Sequence, residues 1–205
     1  MAHLIYIHDP MCSWCWAFRP VLNNLLEQLP EDMTYSRLLG GLAPDTDQPM
    51  PEKMRNTLQA TWRRIQKKLP DTPFNFDFWT LNIPRRSTYP ACRAVLSARA
   101  LDASKEDAMT LAIQQAYYLH ARNPSDDATL IDLADEIGLN GTAFQEVFQS
   151  PTTQQALESE IAQATRMGAR SFPSLVLQHE KSAWPVAVDY HSADSMLETI
   201  ELILD

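Results

Sequence analysis

The sequence predicts a mixed α/β protein in which a strand-helix-strand opening and a strand-strand-helix closing share one sheet around a large, all-helical insertion. Three observations carry this. Strand-like runs of β-branched and aromatic residues sit near the two ends, apolar residues at spacings of three and four fill the stretch between, and Pro and Gly mark the changeovers. The first strand is Leu4-Ile5-Tyr6-Ile7, ending near His8 before Asp9-Pro10, and its continuous apolar character fits burial on both faces. Over 13–29, Trp14, Ala17, Phe18, Val21, Leu22, Leu25 and Leu26 recur with helical spacing until Pro30 stops them, and Pro20 is expected to kink the first turns. Residues 34–42 form the second strand, closed by Gly40-Gly41 and Pro44.

The middle is helical. A helix over 51–69 opens on Pro51, and a Pro- and aromatic-rich connector occupies 70–84. Further helices are expected at 89–101, 105–122, 127–137, 142–148 and 151–167, with Gly138 to Gly141 separating two of them and Ser150-Pro151 supplying a cap and an N1 proline. After Gly168, strands at 174–178 and 186–190 join as a hairpin. A last amphipathic helix over 193–204 follows Ser192 and places Met196, Leu197, Ile200 and Leu204 on one face. Residues 1–43 and 168–205 therefore read as one domain, with 44–167 inserted into it.

A chain of 205 residues with 45% hydrophobic content can bury a sizeable core. The formal charge of −9, from 17 basic and 26 acidic residues, argues against nucleic acid as a partner, because that binding rests on neutralising phosphates. No window of about 18 uninterrupted apolar residues occurs, so no membrane partner is expected. The start lacks a basic segment ahead of a long apolar run, which predicts no signal peptide and a cytoplasmic location where thiols stay reduced.

The sharpest motif is Cys12-Ser13-Trp14-Cys15. Cys12 follows a strand and Cys15 comes one helical turn later, so both sulfurs face the same side of a helix start. Helix N-terminal N–H groups and the macrodipole stabilise a thiolate, and such settings bring a cysteine pKa from about 8.5 to roughly 3.5–7.5. That predicts Cys12 as the ionised nucleophile and Cys15, packed under Trp16 and Phe18, as the resolving thiol. Half of a zinc knuckle and a pair of inert thiols are the alternatives. Zinc needs four ligands, and of His3, His8, His120, His179 and His191 only His3 and His8 lie close in sequence. Phe172-Pro173 precedes the third strand, where a proline suits a strand start and is ordinarily trans. Cys92 reads as a small buried hydrophobe, with a redox role as the alternative should it lie near Cys12. Trp14 and Trp16 are expected to split between site rim and core. Trp62, Phe74, Phe76, Phe78 and Trp79 read as core rather than as a peptide groove, and Arg85-Arg86 as a solvated pair.

Asp9-Pro10-Met11-Cys12-Ser13-Trp14-Cys15-Trp16 after the first strand, the βαβ, helical insertion and ββα order, and Phe172-Pro173 before the third strand together resemble the thioredoxin fold of the DsbA-like family. The resemblance covers essentially the whole chain and is strongest to its cytoplasmic, FrnE-like branch of predicted protein-disulfide isomerases. It implies a thiol-disulfide oxidoreductase of reductase or isomerase type working through Cys12 and Cys15. Ser13, Trp14, Phe172 and a cis Pro173 would meet the substrate, with Phe172's backbone pairing to an extended strand. No bound cofactor is implied, though glutathione is a candidate co-substrate. The partners implied are protein or low-molecular-weight disulfides and a reductant such as glutathione or a thioredoxin system. Many members carry a buried acid six residues before the first cysteine. Tyr6 stands there, leaving His8 as the candidate for proton transfer. The alternatives are a glutathione-dependent transferase or isomerase of the same fold, whose members generally have serine in place of Cys12, and a non-catalytic chaperone module.

Overall fold

The computed structural model describes residues 2–204; positions 1 and 205 of the expected first domain lie outside the described residues. The chain opens as β1 (His3–His8), α1 (Ser13–Glu27) and β2 (Thr34–Leu39), then runs through α2 (Glu52–Lys68), α3 (Phe78–Leu81) and α4 (Tyr89–Leu101). A 3₁₀ turn at Ala103–Lys105 leads into α5 (Glu106–Tyr118), α6 (Asp127–Glu136), α7 (Gly141–Phe148) and α8 (Pro151–Arg166), and β3 (Ser174–His179), β4 (Ser182–Val186) and α9 (Asp194–Leu204) close it. Two compact units result: residues 2–40 with 160–204, and residues 41–159. The second division falls inside α8 rather than at the sequence-derived 167/168, because the last turns of that helix pack on the sheet through Ala164. Among the described residues no helix is long and apolar enough to cross a membrane.

In the sheet unit the strand order is β2-β1-β3-β4, with β1 parallel to β2 and antiparallel to β3, and β4 antiparallel to β3. Strand alternation sends Leu4 and Tyr6 to one face, against Phe18, Leu22, Leu25, Met196 and Ile200 of α1 and α9. Ile5 and Ile7 face the other way, against Leu38, Ala164 and Val176. Both faces of β1 are thus covered, which is why its sequence is apolar without a break. The Glu160 carboxylate accepts the Leu39 N–H at 2.7 Å, tying the end of β2 to α8.

The last strand corrects the sequence reading. β4 spans Ser182–Val186, not 186–190, and a two-residue turn at Glu180-Lys181, with Glu180 at φ 55°, joins it directly to β3. Four of its five residues are exposed, and Pro185 is tolerated because β4 is an edge strand that needs no donor on its open side. β2 also ends at Leu39, three residues early.

The helical unit is organised around Trp62, 1% exposed, whose ring lies 4.9–6.2 Å from Phe74, Phe76, Phe78, Trp79, Tyr117 and Tyr118. Trp62, Phe78 and Trp79 are core while Phe74 and Phe76 are half-buried at its edge, and part of the supposed connector 70–84 coils into α3 to deliver Phe78 and Trp79. α5 stops at Tyr118 instead of 122. Ala121 adopts φ 52° and the Arg122 N–H reaches back to the Ala116 carbonyl at 2.9 Å, a left-handed helix end that usually requires glycine. Arg85 is half-buried and held in place: its guanidinium donates to the Ser125 carbonyl and to the Asp126 carboxylate, the latter at 2.6 Å. Cys92 is fully buried in α4.

Candidate redox site

The site grows from the end of β1. Asp9 folds the chain back on itself: its carboxylate accepts the Met11 N–H at 2.8 Å and its carbonyl accepts the Cys12 N–H at 3.0 Å. Cys12 then becomes the N-cap of α1, with extended backbone, and its carbonyl takes the first helical bond from the Trp16 N–H at 3.0 Å. The sulfur of Cys12 does not cap the helix. Its S–H donates to the Phe172 carbonyl at 3.3 Å.

Sheet register explains that meeting. Ile7 pairs with Ser174 in the antiparallel β1/β3 ladder, so the residues just after β1 arrive beside those just before β3 although 160 positions separate Cys12 from Phe172. The Phe172–Pro173 peptide is cis. Pro173 is buried and Phe172 half-buried, its ring resting on the cluster of Ile5, Ile7, Leu38, Ala164 and Val176. Cys15, one turn on, has no exposed surface, whereas Cys12 keeps 7%. All three cysteines are free thiols.

Burial holds the Cys15 thiol well above its ordinary range, and the hydrogen bond and charge of neighbouring Cys12 push it the same way. A backbone hydrogen bond from Asp9 and one from the Tyr6 hydroxyl oppose the rise. Tyr6 is itself pushed up, first by burial and then by Cys15 and Cys12. Tyr190 follows for the same reasons in the same order.

Cys12, Cys15, Phe172 and Pro173 are therefore brought together, and Ser13 and Trp14 lie half-buried in the first turn of α1. Trp14 rests on Tyr190, ring centroids 5.0 Å apart. The expected division between Trp14 and Trp16 does not hold, since both are half-buried and Phe18 is the ring of α1 that fills the core. His8 is fully buried and stacks on Tyr6 at 4.8 Å with ring planes 3° apart. The phenol of Tyr6 shares a hydrogen bond with the Cys15 thiol. Two residues escaped the sequence reading as site components. Tyr6 was legible as an occupant of the position six before Cys12 but not as a donor, and Asp9 was legible only as half of a turn-forming Asp-Pro.

A thioredoxin family model matches residues 5–189. Among solved structures, a crystal structure from Nitrosomonas europaea, described as a candidate protein disulfide isomerase, is 28% identical with a TM-score of 0.86 and covers 99% of this chain and 97% of its own. The cytosolic disulfide reductase DsbM from Pseudomonas aeruginosa, solved with GSH, is 25% identical with a TM-score of 0.77, covering 98% of each chain. Curated relatives include the ClpXP adapter protein SpxH of Halalkalibacterium halodurans, 23% identical over 172 residues, 82% of this chain and 56% of that protein. SpxH of Bacillus subtilis is 20% identical over 185 residues, 89% of this chain and 61% of that protein. The chain thus spans little more than half the length of the curated relatives it matches.

Proposed function

The chain belongs to the thioredoxin family, and from that premise we propose that it is a cytoplasmic thiol-disulfide oxidoreductase working in the reductase or isomerase direction through Cys12 and Cys15. The observation that carries the reading is the pairing of a slightly exposed thiol at a helix start with a fully buried thiol one turn inside, beside the Phe172 carbonyl. The Cys12 thiolate attacks one sulfur of a substrate disulfide, forming a mixed disulfide and expelling the other sulfur as a thiolate. Cys15 then gives up its proton and attacks the Cys12 sulfur, which releases the reduced substrate and leaves a Cys12–Cys15 disulfide. Two glutathione thiols, or one dithiol protein, return the pair to the reduced state and leave as a disulfide. Ser13, Trp14, Phe172 and Pro173 frame the attacking sulfur, and the Phe172 backbone offers an extended partner to the substrate chain.

Burial supports this division of roles within the pair. A sulfur with no exposed surface cannot meet a protein disulfide, so the first attack falls to Cys12. Tyr6 lends Cys15 a hydrogen bond at the moment it ionises. The likeness to DsbM solved with GSH supports glutathione as co-substrate. Cys12→Ser is expected to abolish reduction of insulin and of glutathione disulfide, while Cys15→Ser accumulates the mixed disulfide. Full turnover by Cys12→Ser would end the reading. Equilibration against a glutathione series fixes direction: a potential near the cytosolic poise supports reductase or isomerase, and one higher by about 100 mV supports oxidase.

A second reading, a non-catalytic adapter or chaperone module, is favoured by the adapter name that the curated relatives carry. It predicts client binding that is unchanged in the double Cys12→Ser, Cys15→Ser variant.

A further inference from the structure

We propose that Gly40 is a positioning residue for Cys12: by leaving the space that the Phe172 ring fills, it holds the Phe172 carbonyl on the Cys12 sulfur. The inference deepens the reading of Cys12 as the attacking thiol and rests on it. Three contacts link the residues. Gly40 sits one residue past β2, and its N–H donates to the His8 carbonyl at 2.7 Å, extending the β1/β2 pairing beyond its last strand residue. That bond fixes the Gly40 backbone. A Cβ placed on it would overlap Cζ and Cε1 of the Phe172 ring and lie 2.7 Å from Cε2. The carbonyl of the same Phe172 accepts the Cys12 S–H at 3.3 Å.

No positive φ is needed at Gly40, in contrast to Gly41 at φ 61°, so the two glycines of one turn are there for different reasons. Gly41 supplies a left-handed backbone; Gly40 supplies room. With the Gly40 backbone held by His8, any side chain at position 40 obliges the ring to move. The ring is packed against Ile5, Ile7, Leu38 and Val176, which leaves it little room to move without its own main chain. The carbonyl that accepts from the thiol tethers the Cys12 sulfur and covers one side of it, so its withdrawal leaves that sulfur more open to an attacking partner. A side chain at position 40 therefore acts on the nucleophile without touching it.

The test is the rate of iodoacetamide alkylation at Cys12 at one fixed pH, read by peptide mass spectrometry on the reduced full-length protein. Gly40→Ala is expected to raise that rate about threefold. Phe172→Ala removes the ring that a methyl group at position 40 would strike, so Gly40→Ala added to Phe172→Ala is expected to change the rate no further. A Gly40→Ala effect of the same size with and without the ring overturns the proposal, as does an unchanged rate in a Gly40→Ala protein with native near-UV circular dichroism. Should Gly40→Ala fail to fold, recovery of folding in the double variant supports the ring clash, and failure there overturns it. Alkylation does not depend on turnover. An alkylation rate that responds to Gly40 in a protein inactive on disulfides would keep this inference and remove the proposed function.

Discussion

Leu4, Leu25, Leu177 and Met196 in the sheet unit, and Trp62, Phe78, Tyr117 and Tyr118 in the helical unit, fill two cores by different means. The difference extends to the polar groups each core takes in. In the helical unit buried hydroxyls finish helix turns and connectors: Ser97 donates to the Arg93 carbonyl at 2.8 Å, Thr110 to Glu106 at 2.9 Å, Ser125 to Ser87 at 2.7 Å and Thr153 to Val147 at 2.6 Å. Each of these satisfies a local acceptor and leaves little chemistry over. In the sheet unit buried His8 and Asp9 stand at the end of β1, immediately before the two thiols. Dispersed polar burial holds a fold together, whereas polar burial gathered at one strand end marks a candidate site.

The contrast between the two cores is tested hardest at Trp62. Replacing it with alanine removes the ring shared by the whole aromatic cluster and should cost about 3–5 kcal/mol in denaturant unfolding. A loss below about 1 kcal/mol would mean that the helical unit is not held by its aromatic core.

Alkaline pH probes the sheet unit next. Cys15 and Tyr6 keep their protons in the folded state beyond the pH at which the unfolded chain gives them up. Their stabilisation is therefore complete below the unfolded values and declines as pH rises above about 9 for the thiol and about 10 for the phenol, each at up to about 1.4 kcal/mol per pH unit. Tyr6→Phe should flatten the upper part of that decline by one proton, measured as stability against pH. An unchanged slope would mean that the fold does not hold the Tyr6 proton.

The smallest effect is expected at the rim of the helical unit. Arg93 clasps Asp45 through two hydrogen bonds of 2.8 and 2.9 Å, but the carboxylate side chain is 50% exposed. A double-mutant cycle on Arg93 and Asp45 should return about 0.5–1 kcal/mol. A coupling near the Trp62 value would place ion pairs beside aromatic packing as a source of stability there.

These elements differ in how plainly the sequence announces them. β1 and α4 were legible because apolar period and Pro or Gly punctuation agree: residues 4–8 were expected against His3–His8, and 89–101 against Tyr89–Leu101. β4 was not, because exposure on an edge strand erases the apolar pattern and Pro185 argues against a strand when the edge is unknown. The end of α5 was hidden because Ala121 does what the sequence code assigns to glycine. At the site, spacing was enough to nominate Cys12 and Cys15. What it could not convey was the partner of each sulfur, since the Phe172 carbonyl and the Tyr6 hydroxyl reach the thiols through sheet register and packing.

The position of β3 in the chain has a bearing on assembly. Its antiparallel pairing with β1 closes a loop of about 170 residues, a contact of high entropic cost. During synthesis β1, α1 and both cysteines leave the ribosome well before Phe172 exists. Until the last strands arrive, the two thiols are open to whatever oxidant or disulfide the nascent chain meets, and only the completed sheet restricts access to one of them.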